Sequence, residues 1–381
     1  MRWMIIFIFL ICCINPLDAQ DNEYSNTDRI ALSIPASQTN ATADIANYMK
    51  AHFNTDSKRI RAIYAWVTSN IKYDKDSIHR VILDEDNEER VTYALKRRRG
   101  VCENFAAIFT DICAKSGINS YMIEGYSRQG GSIDRSPHVW CAAFINNQWF
   151  LYDPTWDAGY ISRGFFVSHV QTNFFQVSPA DFIYTHLPFD PLFQFLNYPV
   201  SYKEFNRGSK QIPPDRVFRA GNNGDFYFNY VDSIMIYNKS DSLSKYLSAL
   251  LRIKNFGWPT AMIDTKLKRI KLEIELIYQD RDMDNYHSAI ADFNESIDIL
   301  NVFINYRNNQ FQPAKTNDEV QGMFDKISKK IVSANQKLND VNKSKAILTL
   351  NTGDIQSKLN DLAANVKEQQ VFFKNHLADS K

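Results

Sequence analysis

The run Gly100-Val101-Cys102-Glu103-Asn104-Phe105-Ala106-Ala107-Ile108-Phe109-Thr110-Asp111-Ile112-Cys113-Ala114-Lys115-Ser116-Gly117 decides how this chain is to be read. Phe105, Ile108, Phe109, Ile112 and Cys113 recur every three or four positions, the stripe of a helix with one buried face, and Gly117 ends it. Cys102 opens that helix. Downstream, residues 121–126, 138–145 and 148–153 read as strands, and Asn146-Asn147 as the two-residue turn joining the last two.

The same stretch carries a candidate chemistry. A thiol at a helix N-terminus faces unpaired N–H groups and the positive end of the helix dipole, both of which favour thiolate, the nucleophilic form. If Asn146-Asn147 is the turn, Ile145 faces Gln148, and pairing outward sets His138 opposite Thr155. Asp153 then shares a sheet face with His138 and lies diagonal to it, about 7–8 Å away at the backbone, a gap that a carboxylate and an imidazole can close. Cys102, His138 and Asp153 are therefore the candidate catalytic residues, as nucleophile, base and orienting carboxylate. Each has a plainer reading alone: a cysteine near a cap, a strand-end histidine, and a turn-forming aspartate before Pro154.

Around this centre the 381 residues suggest two or three domains. The first 19 residues, with Arg2 ahead of an apolar run from Trp3 to Ile14, read as a secretory signal peptide, too short to span a bilayer. Residues 20–40 are polar and read as a flexible lead-in. Residues 41–205 form the expected catalytic domain, with two helices between Asp44 and Tyr73 and another ending in Lys96-Arg97-Arg98-Arg99-Gly100, where cations and a glycine are ordinary helix punctuation. Residues 206–239, rich in Gly, Pro, Asn and charge at their start, read as a linker or extension.

Residues 240–381 read as an all-α antiparallel helical bundle. Tyr286, Ile290, Phe293, Ile297, Leu300 and Ile304 form one apolar stripe; Val320, Met323, Ile327, Ile331, Ala334, Leu338 and Val341 form a second; Ile355, Leu359, Leu362, Val366 and Phe373 form a third. No inward Glu-x-x-His pair interrupts them, so no metal is expected, and no cofactor. Lys+Arg 44 against Asp+Glu 43 leaves a net charge of +1, which gives no field for nucleic acid or an anionic membrane. Signal cleavage would remove Cys12 and Cys13. Cys102 and Cys113, about 16 Å apart on one helix, cannot pair, which leaves Cys113 with Cys141, or two small buried thiols.

Arg99-Gly100-Val101-Cys102-Glu103-Asn104-Phe105-Ala106, then His138-Val139-Trp140, then Trp149-Phe150-Leu151-Tyr152-Asp153-Pro154-Thr155-Trp156 resemble the three ordered blocks of the transglutaminase-like superfamily. Ile63-Tyr64-Ala65-Trp66-Val67 with Ile71-Lys72-Tyr73-Asp74 is similar to its upstream helix and motif, and Phe182-Ile183-Tyr184-Thr185-His186-Leu187-Pro188 resembles the kyphoscoliosis-peptidase branch. The resemblance spans about residues 45–205. It implies a papain-like α+β core with an antiparallel sheet, and Cys102, His138 and Asp153 as the triad. Asn104-Phe105 and Cys141 depart from the residues usual there, which bears on substrate preference.

The leading expectation is thus an exported cysteine enzyme that acts on protein or peptide amides through a Cys102 thioester. Hydrolysis is slightly favoured over amine transfer and crosslinking. Two rivals belong to other classes: a non-catalytic peptide- or protein-binding module using the same cleft and the bundle, and an envelope protein whose bundle self-associates. The expected partners are a protein or peptide substrate and a protein docked on the bundle, with no integral membrane span after signal cleavage.

Overall fold

A computed structural model of the chain describes residues 16–77, 87–208, 227–256, 260–343 and 350–379. Residues 1–15 of the expected signal peptide, the acidic residues 84–86 and most of the Gly/Pro-rich stretch (209–226) lie outside the described residues. In chain order the elements begin with helices α1 (Pro16–Leu32), α2 (Thr42–His52) and α3 (Asp56–Asn70), strand β1 (Lys72–Tyr73), helix α4 (Asn87–Arg97), strand β2 (Arg99–Gly100) and helix α5 (Cys102–Lys115). Strands β3 (Ser120–Gln129), β4 (Ser132–Ile133), β5 (His138–Ile145) and β6 (Gln148–Tyr152) follow, then helix α6 (Pro154–Ala158), strands β7 (Gly159–Ser162) and β8 (Phe165–Ser168), helix α7 (Pro179–Phe182), strand β9 (His186–Pro188) and helix α8 (Tyr202–Arg207). The chain ends in helices α9 (Tyr230–Lys239), α10 (Ser242–Phe256), α11 (Ala261–Asn308), α12 (Asn317–Lys343) and α13 (Thr352–Asp379).

The chain divides into two compact units, Met1–Ser240 with Leu251–Thr265, and Asp241–Leu250 with Lys266–Lys381. The first is α+β. Its main sheet is antiparallel in the order β4-β3-β5-β6, and β9 adds to β3. Asn146 and Asn147, at φ 52° and 63°, make the tight turn between β5 and β6 and set Ile145 against Gln148. Alternation along β5 then sorts its side chains. Cys141, Ala143 and Ile145 face α5, where Phe105, Ile108 and Phe109 are fully buried, while Trp140 and Ala142 join Phe182, Leu192, Phe195 and Ile234 on the other face. Each such large apolar side chain contributes about 1.5–3 kcal/mol by burial.

One expectation needs correction here. The lead-in at 20–40 is not flexible, because α1 packs on α3: Ala31 is fully buried, and Arg61 both pairs with Asp28 at 2.5 Å and lies 4.8 Å over the Tyr24 ring. An ion pair and a cation–π contact outweigh the helix-poor composition that suggested disorder. The stretch 206–239, expected as a linker or extension, contains α9, whose Ile234 is buried against the sheet, so its described residues extend the first unit. Among the cysteines, Cys102, Cys113 and Cys141 are free thiols, and burial pushes the Cys113 and Cys141 thiols well above the ordinary range.

In the second unit the cores of α12 and α13 follow their stripes: Val320, Ile327, Ile331, Ala334 and Leu338 on one, Leu359, Leu362, Val366 and Phe373 on the other. In α11 the buried line is rotated from the expected stripe. It runs through Ala289, Asp292, Ser296, Leu300 and Phe303, with Tyr286, Phe293, Ile297 and Ile304 on its flanks. The reason is Asp292, which accepts from Lys330 at 2.9 Å, Ser333 at 2.8 Å and Lys337 at 2.5 Å of α12.

Candidate active site

Cys102 is the first residue of α5, and the loop before it is shaped by two contacts. Asn104 Oδ1 accepts from the Val101 N–H at 2.9 Å. A Cβ on Gly100 would stand 2.5 Å from Asn104, so only glycine lets the chain enter the helix this tightly. β2 pairs in parallel with β1, which sets Tyr73 against Gly100 and beside Cys102. Asp74 is buried next to this junction and pairs with Arg97 and Arg99, each at 3.3 Å, while Arg98 lies 5.0 Å over the Trp66 ring. The cationic run is thus tied down by structural contacts.

His138 opens β5 and Asp153 caps α6. His138 Nε2 lies 2.7 Å from Asp153 Oδ2, and Cys102 at the head of α5 is close enough to the His138 ring to help favour its charged form. Cys102, His138 and Asp153, from three separate elements, are therefore brought together, the last two directly hydrogen-bonded. Asp153 is fully buried and its Oδ1 accepts from the Thr155 and Trp156 N–H groups at 2.9 and 3.2 Å. Burial opposes its charge, but His138 and His186 outweigh that and hold its carboxyl well below the usual range. Burial likewise opposes a charged His138; the charge and hydrogen bond of Asp153, with Cys102, outweigh it and raise the imidazole to about 10. Trp156 stacks on the His138 ring at 5.3 Å and shields the pair from water.

One residue here was not singled out by the sequence. His186 on β9 is fully buried and reaches Asp153 Oδ2 with Nε2 at 3.2 Å. The only hint was its place in the stretch resembling the kyphoscoliosis-peptidase branch. Behind Asp153, the Tyr64 hydroxyl donates to Asp157 Oδ2 at 2.6 Å, and burial pushes Asp157 up to about 6. The ligand-capable atoms of His138, Asp153 and His186 lie within 4.8 Å of one another, the one such cluster among the described residues. They already hydrogen-bond each other, so a metal ion would have to displace both ring protons.

In front of His138 is a cavity of about 470 Å³ lined by Tyr73, Gln129, Trp156, Tyr160, Phe166 and Phe174, among others. The β7–β8 hairpin forms one wall and leaves Tyr160, Ile161 and Phe165 exposed. The lining mixes these aromatic rings with the polar side chains of Gln129, His138 and Thr155, as small-molecule and peptide sites commonly do.

Residues 43–154 match the family model of the transglutaminase-like superfamily, so the first unit carries a transglutaminase-like domain. Similar proteins include a kyphoscoliosis peptidase and a Lim and transglutaminase domain protein. The chain is 27% identical over 189 residues to the human (Homo sapiens) kyphoscoliosis peptidase, covering 46% of this chain and 28% of that protein. It is 24% identical over 241 residues to the Lim and transglutaminase domain protein ltd-1 of Caenorhabditis elegans, covering 58% and 32%. A solved TGase structure aligns with a TM-score of 0.25 at 13% identity, covering 42% of each chain. The chain spans about three-tenths of the length of these curated relatives. No helix among the described residues is long and apolar enough to cross a membrane.

Proposed function

We propose that this chain is an exported cysteine enzyme that cleaves protein or peptide amides through a Cys102 thioester, hydrolysis being favoured over amine transfer. The observation that carries the reading is the convergence of the thiol at the α5 N-terminus, His138 and buried Asp153, the last two hydrogen-bonded at 2.7 Å. The peptidase names of the relatives support hydrolysis, and the N-terminal charged-then-apolar run supports export.

In this mechanism the Cys102 proton already rests on His138, which Asp153 keeps charged, and Cys102 Sγ attacks the amide carbon as thiolate. The oxyanion is met by backbone N–H groups at the head of α5, including that of Cys102, and by the Tyr73 phenol. Collapse breaks the C–N bond, and the leaving amine takes the proton from His138. Water then attacks the thioester, His138 receives its proton, and the C–S bond breaks to release the acid and restore the thiol. Asp153 keeps the imidazole turned toward sulfur throughout. The aromatic cavity accommodates an apolar side chain next to the reacting amide.

The test is incubation of the purified chain with glutamine-containing peptides and a labelled amine. New peptide ends, absent with Cys102→Ala, support the hydrolase. Amine incorporation without cleavage makes it a crosslinker, and identical behaviour of wild type and Cys102→Ala overturns the enzyme reading.

A further inference from the structure

We infer that His186 is a positioning residue: a buried, neutral second imidazole that donates to Asp153 Oδ2 and holds the carboxylate in place for His138. The inference rests on the enzyme reading above.

A carboxylate has about four acceptor positions. At Asp153 all four are occupied: Oδ1 by the N–H groups of Thr155 and Trp156, Oδ2 by His138 at 2.7 Å and His186 at 3.2 Å. His186 supplies the fourth. The tautomer follows from the carboxylate. Ionised Asp153 can only accept, so the ring hydrogen of the neutral imidazole sits on Nε2, and Nδ1 is left as an acceptor 2.8 Å from the Thr185 hydroxyl, which also lies 3.2 Å from the Phe182 carbonyl. The ring cannot swing away, because it stacks on Phe182 at 4.1 Å and lies 4.4 Å from Trp156 and 4.9 Å from Trp140.

The fold is built to deliver it. Gly125 of β3 is in register with both His138 of β5 and Pro188 of β9. A Cβ there would stand 2.2 Å from the Leu187 carbonyl, so any larger residue would lift β9, and His186 with it, off the sheet. The ionisable groups around the ring are Asp153, His138 and Asp134, which accepts from Ser127, the β3 partner of His186. Beyond Asp153 lie Asp157 with Tyr64, and Cys102 with Tyr73. Burial pulls His186 down to about 4 against the pull of Asp153, which keeps it neutral where the enzyme reading needs His138 charged. Two imidazoles on one oxygen thus have divided roles: one moves a proton and the other never does.

The test reads the pH dependence of Cys102 alkylation by iodoacetamide in the full chain, which needs no substrate. Removing one charge-assisted hydrogen bond from the carboxylate in His186→Phe should lower the plateau rate about tenfold and move the acid limb up by about one pH unit. His186→Gln, whose amide N–H reaches the same oxygen, should recover most of the loss, which a merely structural role would not predict. Thr185→Val, which takes away the hydroxyl beside Nδ1, should shift the profile the same way by less, and serves if His186→Phe does not fold. Nitrogen NMR of labelled histidines should show one neutral Nε2–H ring from about pH 5 to 8. Profiles of His186→Phe and Thr185→Val that superimpose on wild type, equal damage by Phe and Gln, or a His186 that titrates in that range would each overturn the proposal. A wild-type Cys102 no faster than a free thiol would instead remove the enzyme reading on which it rests.

Discussion

The two units each bury a carboxylate, and they hold it in opposite ways. Asp153 is surrounded by two imidazoles and two backbone N–H groups under aromatic rings; Asp292 is clamped by two lysine ammonium groups and a serine hydroxyl on the facing helix. Directional ring and backbone donors fix where a carboxylate points and leave its charge to act on one neighbour, His138. Full cations cancel the charge and leave only a crosslink. The first arrangement suits chemistry and the second suits packing, which explains why a buried acid alone does not mark a site.

The comparison is broken most severely by exchanging each acid for its amide. Asp153→Asn should lower peptide-cleaving turnover by about 10⁴-fold, by presenting an N–H to His138 and spoiling its tautomer. Asp292→Asn should leave turnover unchanged; equal losses would show that the two carboxylates are not functionally distinct. Next in size, Phe324→Ala should cost the second unit about 3–5 kcal/mol, since that ring is almost completely buried against Phe303. Asp292→Ala should cost about 1–3 kcal/mol, because the lysines left behind are partly solvated. Chemical denaturation followed by probes in each unit checks both.

The pH dependence should separate the units as well. Despite burial, the lysines and Ser333 hold Asp292 down to about 2, below its unfolded value, so its stabilising contribution is present above about pH 4 and is lost as pH falls through 2. His138 is raised to about 10, so its contribution is present below about pH 6.5 and is lost as pH rises toward 10. Unfolding midpoints should therefore fall in acid for both units, since Asp153 is also held below its unfolded value, and in alkali for the first alone through His138. The smallest effect should come from Phe166→Ala, which enlarges the cavity and should raise KM for peptides with an apolar side chain by about threefold to tenfold, by loss of apolar contact, with kcat little changed. A change in kcat alone would remove Phe166 from substrate binding.

The β5–β6 hairpin was legible because Asn146-Asn147 fixes the register, and register fixes which side chains share a face. That logic brought His138 and Asp153 to one face before any coordinates were considered. His186 was not legible, since its link to Asp153 spans 33 residues and depends on β9 adding to β3 beside Gly125, a pairing that leaves no periodic trace. The face of α11 was misjudged for a related reason. Counting apolar residues skipped Asp292 and Ser296, which sit on the buried line because α12 supplies their partners. The lead-in was misjudged because polar composition says nothing of the Asp28–Arg61 pair that anchors α1.

The account stands or falls on Cys102 and His138 acting together. The direct measurement is the rate of iodoacetamide labelling of Cys102 near neutral pH, mapped by mass spectrometry, in wild type and His138→Ala. Labelling at least about tenfold faster than a free thiol, falling to the free-thiol rate in His138→Ala, is the predicted result. A wild-type rate equal to that of a free thiol and indifferent to His138 would contradict it.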